Sequence, residues 1–201
     1  MHSCRKFAAI LGCTLVPALL MSMPAFAAEA PSAAHEQGIW QKHEYTFSYM
    51  GFTTTYSCDG LADKIKVLLI AAGARRDAKS RSGACANGFG QPDKFARAYL
   101  TFYTLAPATT ISAADVKPVD AVWRPVSFAY RSPRELGNGD CELIEQFRNN
   151  VLPLFTTRNI EDRTTCVPHQ ESGSSISLRF EALAAAPGAG AAAAPAKSGG
   201  G

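Results

Sequence analysis

The chain has little of what usually announces chemistry. It carries two tryptophans and four histidines in 201 residues. It has no phosphate-binding glycine loop, no dinucleotide-binding loop and no paired catalytic carboxylates. The hydroxyl-rich run Thr53-Thr54-Thr55-Tyr56 has no Gly-x-Ser-x-Gly elbow or Ser/His/Asp order beside it. No Cys-x-x-Cys occurs, which removes the spacing that thiol oxidoreductases and small heavy-metal-binding domains use. No Asn-x-Ser/Thr acceptor is present. Beyond residue 27, no apolar run approaches the roughly 20 residues that a membrane helix needs. Net charge is also scarce. The formal net charge is +3, and without Arg5 and Lys6 the chain stands at +1. That balance gives no global electrostatic reason to bind nucleic acid.

What is present first is an address. Arg5 and Lys6 precede an apolar run from Phe7 to Leu20, and Ala25-Phe26-Ala27 has the small-x-small pattern read by signal peptidase. Residues 1–27 are expected to be a cleaved signal peptide, with cleavage after Ala27 or Ala28. A lipoprotein reading at Cys13 is disfavoured by the short apolar run before it and by Leu11. The expected location is therefore periplasmic or secreted. Cys4 and Cys13 leave with the signal. The four remaining cysteines, Cys58, Cys85, Cys141 and Cys166, are an even set in an exported chain and imply two disulfides.

A stretch then occurs twice. Trp40 precedes Cys58 by 18 positions and Trp123 precedes Cys141 by 18. Tyr45 and Phe47 match Phe128 and Tyr130 at the same offset, and Arg75 and Arg158 each follow their cysteine by 17. Both copies read as β-α-β-β. In the first, Tyr45, Phe47 and Tyr49 alternate with polar residues as in a half-buried strand. Ser57 caps a helix whose apolar face is Leu61, Ile65, Leu68, Leu69 and Ala72, and Gly73 ends it. The charged segment 74–84 reads as an edge strand, and 96–105 as a strand with Tyr99, Thr101 and Tyr103 opposite Leu100, Phe102 and Thr104. In the second copy Asp140 is expected to cap a helix with Leu143, Ile144, Phe147 and Val151 on its apolar face, limited by Pro153. Strands 155–167 and 176–183 follow.

The expected organisation is a signal at 1–27, a flexible leader at 28–39, repeats at 40–105 and 121–183, a connector at 106–120, and a disordered Ala/Gly/Pro tail at 184–201. A helix of ~14 residues is ~21 Å long, and a strand of ~6–7 residues retraces that length. The cysteine at each helix start can therefore meet the cysteine at the following strand's end, which predicts Cys58–Cys85 and Cys141–Cys166. The predicted fold class is α+β, a mixed or antiparallel sheet with both helices on one face. Each half is loosely ferredoxin-like in element order, an analogy that carries no function.

Among candidate sites, Cys58 begins a helix, where a thiol can be activated, but a structural disulfide is the plainer reading. Cys166-x-x-His169 supplies only two of the four ligands of a structural zinc site, so no metal and no cofactor is assigned. His43 reads as a surface strand residue. Arg75, Arg76, Lys79 and Arg81 form the densest basic run. Together with Thr54, Tyr56 and His169 they are the candidate interaction surface, with an envelope protein, an acidic partner or the anionic envelope surface in view. The alternative is a solvated edge strand. Trp40 and Trp123 are expected in the sheet–helix core.

The segments Thr53–Leu61, Leu152–Asn159 and Cys166-Val167-Pro168-His169-Gln170 resemble a group of uncharacterised exported proteobacterial proteins. The resemblance spans about residues 40–183 and implies an envelope location without an activity. The function expected is a non-enzymatic binding or interaction module. The alternatives are an envelope thiol-redox or metal-handling protein using Cys58 or Cys141, and an enzyme with an unfamiliar site.

Overall fold

The computed structural model describes residues 36–83, 91–110 and 117–188. The expected signal, the first part of the leader, Cys85, the middle of the connector and the tail beyond residue 188 lie outside the described residues.

Eight strands and two α-helices follow in the order β1 (Glu36–Met50), α1 (Cys58–Ala72), β2 (Lys79–Ser82), β3 (Phe95–Pro107), β4 (Val119–Ala129), α2 (Cys141–Asn150), β5 (Thr157–Asp162), β6 (Thr165–Val167), β7 (Gln170–Ser175) and β8 (Ser177–Ala185). Six strands form one sheet in the order β2-β3-β1-β4-β8-β5, while β6 and β7 make a separate hairpin. All the pairings are antiparallel. The fold is α+β. The backbone pairing between the two three-strand blocks runs through β1 and β4, over the pairs Glu36↔Ala121, Gln37↔Asp120 and Gly38↔Val119. Gly38 suits the close approach there: a Cβ would stand 3.2 Å from both Ala121 Cβ and Leu105 Cδ2, so those side chains would have to give way by a few tenths of an ångström.

Alternation along the strands sorts the two faces. On one face Phe47, Phe102, Phe128 and Phe180 pack against Leu61, Ile65, Leu68 and Leu69 of α1 and Leu143, Ile144 and Phe147 of α2 in a single core. Each such side chain contributes about 1.5–3 kcal/mol by leaving water. Helix α1 forms as its sequence dictates. Ser57 Oγ accepts from Gly60 N at 3.0 Å, and Gly73 takes the left-handed conformation at φ 110° that ends the helix. No basic residue occupies the last turn of α1. Arg124 of β4 supplies that charge across the fold, donating to Ala71 O at 3.0 Å.

Several expectations are corrected. Strand β1 begins at Glu36, inside the segment read as leader, while β3 runs on to Pro107 and β8 to Ala185. The predicted strand 155–167 is split. Asn159 at φ 53° sits in a register shift between Arg158 and Glu161, a bulge that bends β5. Asp162 Oδ1 then accepts from Thr164 N at 2.9 Å, an Asx turn that ends the strand. The chain goes on into the β6–β7 hairpin, which the alternation of residues 165–175 had not revealed. Asp140 does not cap α2, because its side chain makes no bond to the start of that helix; it reaches back to Gly137 N, ahead of the 3-10 turn Asn138–Asp140. Nor do the tryptophans enter the main core. Trp40 and Trp123 border a small cluster of Leu105, Ala121 and Leu183, on the face opposite Phe47 and Phe128. Strand parity requires this: Trp40 is an odd number of residues from Phe47, and Trp123 from Phe128.

Cys141, the first residue of α2, is bonded to Cys166 on β6 with a Cα–Cα distance of 5.5 Å. This is the predicted pairing, reached through the hairpin instead of a single return strand. Cys58 is buried at the first residue of α1.

Candidate functional site

Two polar constellations stand out. The first is buried where the loop after β1 meets the start of α2. Asp140 accepts from the Tyr56 hydroxyl, from Lys64 Nζ at 2.8 Å on each carboxylate oxygen and from Gly137 N at 2.6 Å. Glu142 accepts from Phe52 N at 2.8 Å and Thr53 N at 3.0 Å, with the Thr53 and Tyr49 hydroxyls at 3.3 and 3.5 Å. Tyr49 also donates to Thr54 O at 2.8 Å, and its ring meets Tyr56 edge-on at 4.8 Å. Burial, then the carboxylates of Glu142 and Asp140, pushes the Tyr49 phenol far above its ordinary value. Burial and Asp140 do the same to Tyr56. Both phenols therefore stay protonated and act as donors. The donors surrounding the two carboxylates hold them in place, so the cluster works as a latch between the first-half loop and α2.

The second constellation lies on the helix-free face of the sheet. Arg75 stacks over the Tyr103 ring at 3.6 Å and lies 5.6 Å from Trp40. Arg158 stacks over Trp123 at 4.2 Å. Each arginine is also paired with a carboxylate, Arg75 with Asp77 at 2.8 Å and Arg158 with Glu181. Hydrogen bonding from Arg75 holds the Asp77 carboxyl below its ordinary value. Further along this face, cross-strand register places Arg81 opposite Tyr99 and Lys79 opposite Thr101. In turn Tyr99 faces Thr46, Thr101 faces Glu44 and Arg97 faces Ser48. Arg81, Tyr99, Thr46, Thr101 and Glu44 line a shallow groove. Lys42 takes up Glu44. Lys79, Arg81 and Arg97 are in no ion pair among the described residues.

The predicted surface residues thus divide between two places. Arg75, Lys79 and Arg81 share the helix-free face, and Arg76 is exposed in the turn before β2. Thr54 and Tyr56 belong to the latch region. His169 adopts φ 64° in the β6–β7 turn and meets the exposed Phe52 ring edge-on at 5.4 Å. Among the described residues no group of three or more His, Cys, Asp or Glu could hold a metal. His43 is half-buried. It faces the helices, bonds Thr104 Oγ1 at 2.8 Å and packs on Phe102 at 5.2 Å, and burial lowers its pKa.

Sequence reasoning missed Tyr49, Lys64, Asp140 and Glu142 as a unit. The acidic residues at the start of α2 look like ordinary helix-dipole partners, and nothing local announces a tyrosine about 90 positions away. The arginine stacks did leave a trace in the equal spacing of Arg75 and Arg158 behind their cysteines. No protein-family profile, curated protein or solved structure matches this chain. The class that the structure defines is an antiparallel α+β sandwich, helices on one face, with a disulfide at the start of α2. No helix among the described residues is long and apolar enough to cross a membrane.

Proposed function

We propose that the protein is an exported, non-enzymatic binding domain of the cell envelope that takes an anionic partner on the helix-free face of its first half. One observation carries this reading: Lys79, Arg81 and Arg97 surround the exposed Tyr99 and the hydroxyls of Thr46 and Thr101, with no carboxylate paired to them among the described residues. Such a face offers charge, hydrogen-bond donors and a ring at one place. The buried carboxylates, by contrast, are already engaged in holding the fold together.

Export is supported by the pattern of residues 1–27 and by cysteine usage. Duplication of one β-α-β-β unit is supported by the strand order, which places the first-half strands β2-β3-β1 as mirror neighbours of β5-β8-β4. It is supported again by the matched pairs Trp40↔Leu105 and Trp123↔Leu183, and by the Arg75–Trp40 and Arg158–Trp123 contacts. On that symmetry Cys58, which is disulfide-bonded, pairs with Cys85. A thiol titration of the exported protein is expected to find four blocked cysteines. Free thiols would overturn the second disulfide and favour a redox role.

The binding test is fluorescence anisotropy of labelled polyglutamate against the chain from residue 28. Arg81→Glu/Arg97→Glu is expected to weaken binding at least about tenfold, a difference of about 1.4 kcal/mol, and added salt should weaken the wild type. Equal affinity of the two proteins would overturn the anionic-partner reading.

A further inference from the structure

The outer edge of β2, unpaired among the described residues, narrows the partner further, on the reading just given. Gly83 N donates to Arg97 O at 2.7 Å and Arg75 N to Tyr103 O at 2.9 Å. Odd-numbered residues of β3 therefore turn their backbone groups toward β2. The antiparallel register Lys79↔Thr101 and Arg81↔Tyr99 then makes those the hydrogen-bonded pairs. The residues between and beyond them, Ser80 and Ser82, direct their N–H and C=O groups away from β3. Strand β2 is at the end of the sheet order, and no backbone bond from Ser80 or Ser82 to another segment is present among the described residues. The side chains flanking this edge on the helix-free face are Lys79 and Arg81, both exposed.

Charge decides what can use such an edge. A second copy pairing edge to edge would set Lys79 and Arg81 against the same residues, and like charges directly opposite destabilise a strand pair. An acidic strand reverses the sign of those contacts while keeping the main-chain bonds. The edge thus rejects its own copy and accepts the opposite charge, the two halves of specificity. We propose that β2 receives an extended acidic polypeptide segment as a seventh strand, bonded through the backbone of Ser80 and Ser82, with alternate carboxylates facing Lys79 and Arg81. About five residues at ~3.3 Å each cover β2.

The test uses the chain from residue 28 and the labelled peptide Thr-Glu-Thr-Glu-Thr-Glu-Thr, with Thr-Lys-Thr-Lys-Thr-Lys-Thr as control. Anisotropy should report binding of the acidic peptide and at least tenfold weaker binding of the basic one. Ser82→Pro removes an outward N–H at a position where an edge strand tolerates proline. It should weaken the acidic peptide at least tenfold while leaving its far-UV spectrum unchanged. Amide exchange in the wild type should slow at Ser80 and Ser82 on adding the peptide, a readout independent of how Ser82→Pro folds. Dextran sulfate, a polyanion without amides, should bind without that protection. Binding of the acidic peptide with no slowing at Ser80 and Ser82, or undiminished binding by a folded Ser82→Pro, would overturn strand addition but leave the anionic surface standing. Binding that survives Arg81→Glu/Lys79→Glu would overturn both.

Discussion

Lys64→Met should be among the most damaging single substitutions outside the apolar core. Lys64 Nζ lies 2.8 Å from both oxygens of Asp140, whose side chain is 4% exposed against 23% for Lys64. At an effective dielectric near 20, two charges about 4 Å apart interact by about 4 kcal/mol. Removing the ammonium leaves the carboxylate buried with only Tyr56 Oη and Gly137 N as donors. Breaking a buried pair from one side costs about 3–5 kcal/mol, most of it the uncompensated charge. Water can reach the vacated position past a partly exposed Lys64, so the lower end applies, about 3 kcal/mol. In a domain of about 150 residues this corresponds to a fall in Tm of about 6–12 °C. The assay is urea unfolding followed by far-UV circular dichroism with disulfides intact. Lys42→Met, which breaks the exposed pair with Glu44, serves as reference and should leave the urea midpoint close to that of the wild type. Adding Asp140→Leu to Lys64→Met should recover part of the loss, because the stranded charge is gone. A Lys64→Met protein within about 1 kcal/mol of wild type would refute the latch, placing the pair with ordinary surface ion pairs.

Two further outcomes are expected. Replacing both Cys141 and Cys166 by Ala opens a 25-residue loop and should cost about 3.5 kcal/mol on the chain-entropy account, read as a shift of the urea midpoint under oxidising conditions; no shift would mean that the β6–β7 hairpin is held without the bond. Burial lowers the pKa of His43 in the fold, so the unfolded chain binds the proton first as pH falls through about 6.5. Stability should then drop between neutral pH and the lowered folded value, with a slope no steeper than about 1.4 kcal/mol per pH unit from this residue. His43→Gln should flatten that window in a pH series of urea midpoints, and an unchanged profile would assign it elsewhere.

Local rules carried much of the fold. Ser57, Gly73 and the apolar spacing of Leu61, Ile65, Leu68 and Leu69 were enough to bound α1, because capping and periodicity act within a few residues. Tyr99 and Tyr103 could be set opposite Leu100 and Phe102 from alternation alone. The position of Trp40 was equally legible, since parity with Phe47 puts it on the other face. The weight given to aromatic bulk, as though bulk meant core, obscured it. The latch was not legible. Asp140 stands where a cap should, and its lack of a capping bond depends on Tyr56 and Lys64 arriving from the other half. The split of residues 155–167 depends on the positive φ of Asn159 and the Asx turn at Asp162, which a run of β-tolerant residues conceals.

The inequality of the two halves bears most directly on function. If the halves descend from one unit, the offset that superposes Trp40 on Trp123 and Arg75 on Arg158 sets Lys79 against Asp162 and Arg81 against Thr164. The matched strand register sets Arg97 against Ser175 and Tyr99 against Ser177. In the second half some of the charges on the helix-free face are answered locally, while Arg163 and Arg179 are in no ion pair among the described residues. Arg158 pairs with Glu181 and Arg179 stands opposite Glu161, whereas Asp162, opposite the core residue Leu178, turns to the helix side and pairs with Arg148 of α2 at 3.1 Å. In the first half Lys79, Arg81 and Arg97 are unanswered by any ion pair among the described residues. The arginine–tryptophan stacks occur in both halves, so they belong to the scaffold. Around Ser177, the place matched to Tyr99, the second half has Arg163 and Arg179 together with Glu161. The first half has the exposed ring of Tyr99 and three basic residues, Lys79, Arg81 and Arg97, and self-repulsion among them costs stability that an anionic partner would return. The first-half edge is therefore where a loss of binding should separate from a loss of folding. Arg81→Glu/Arg97→Glu relieves like-charge repulsion in the isolated domain, so it should match or exceed the wild type in urea midpoint while failing to bind polyglutamate. A variant that lost both together would place these arginines in the scaffold after all.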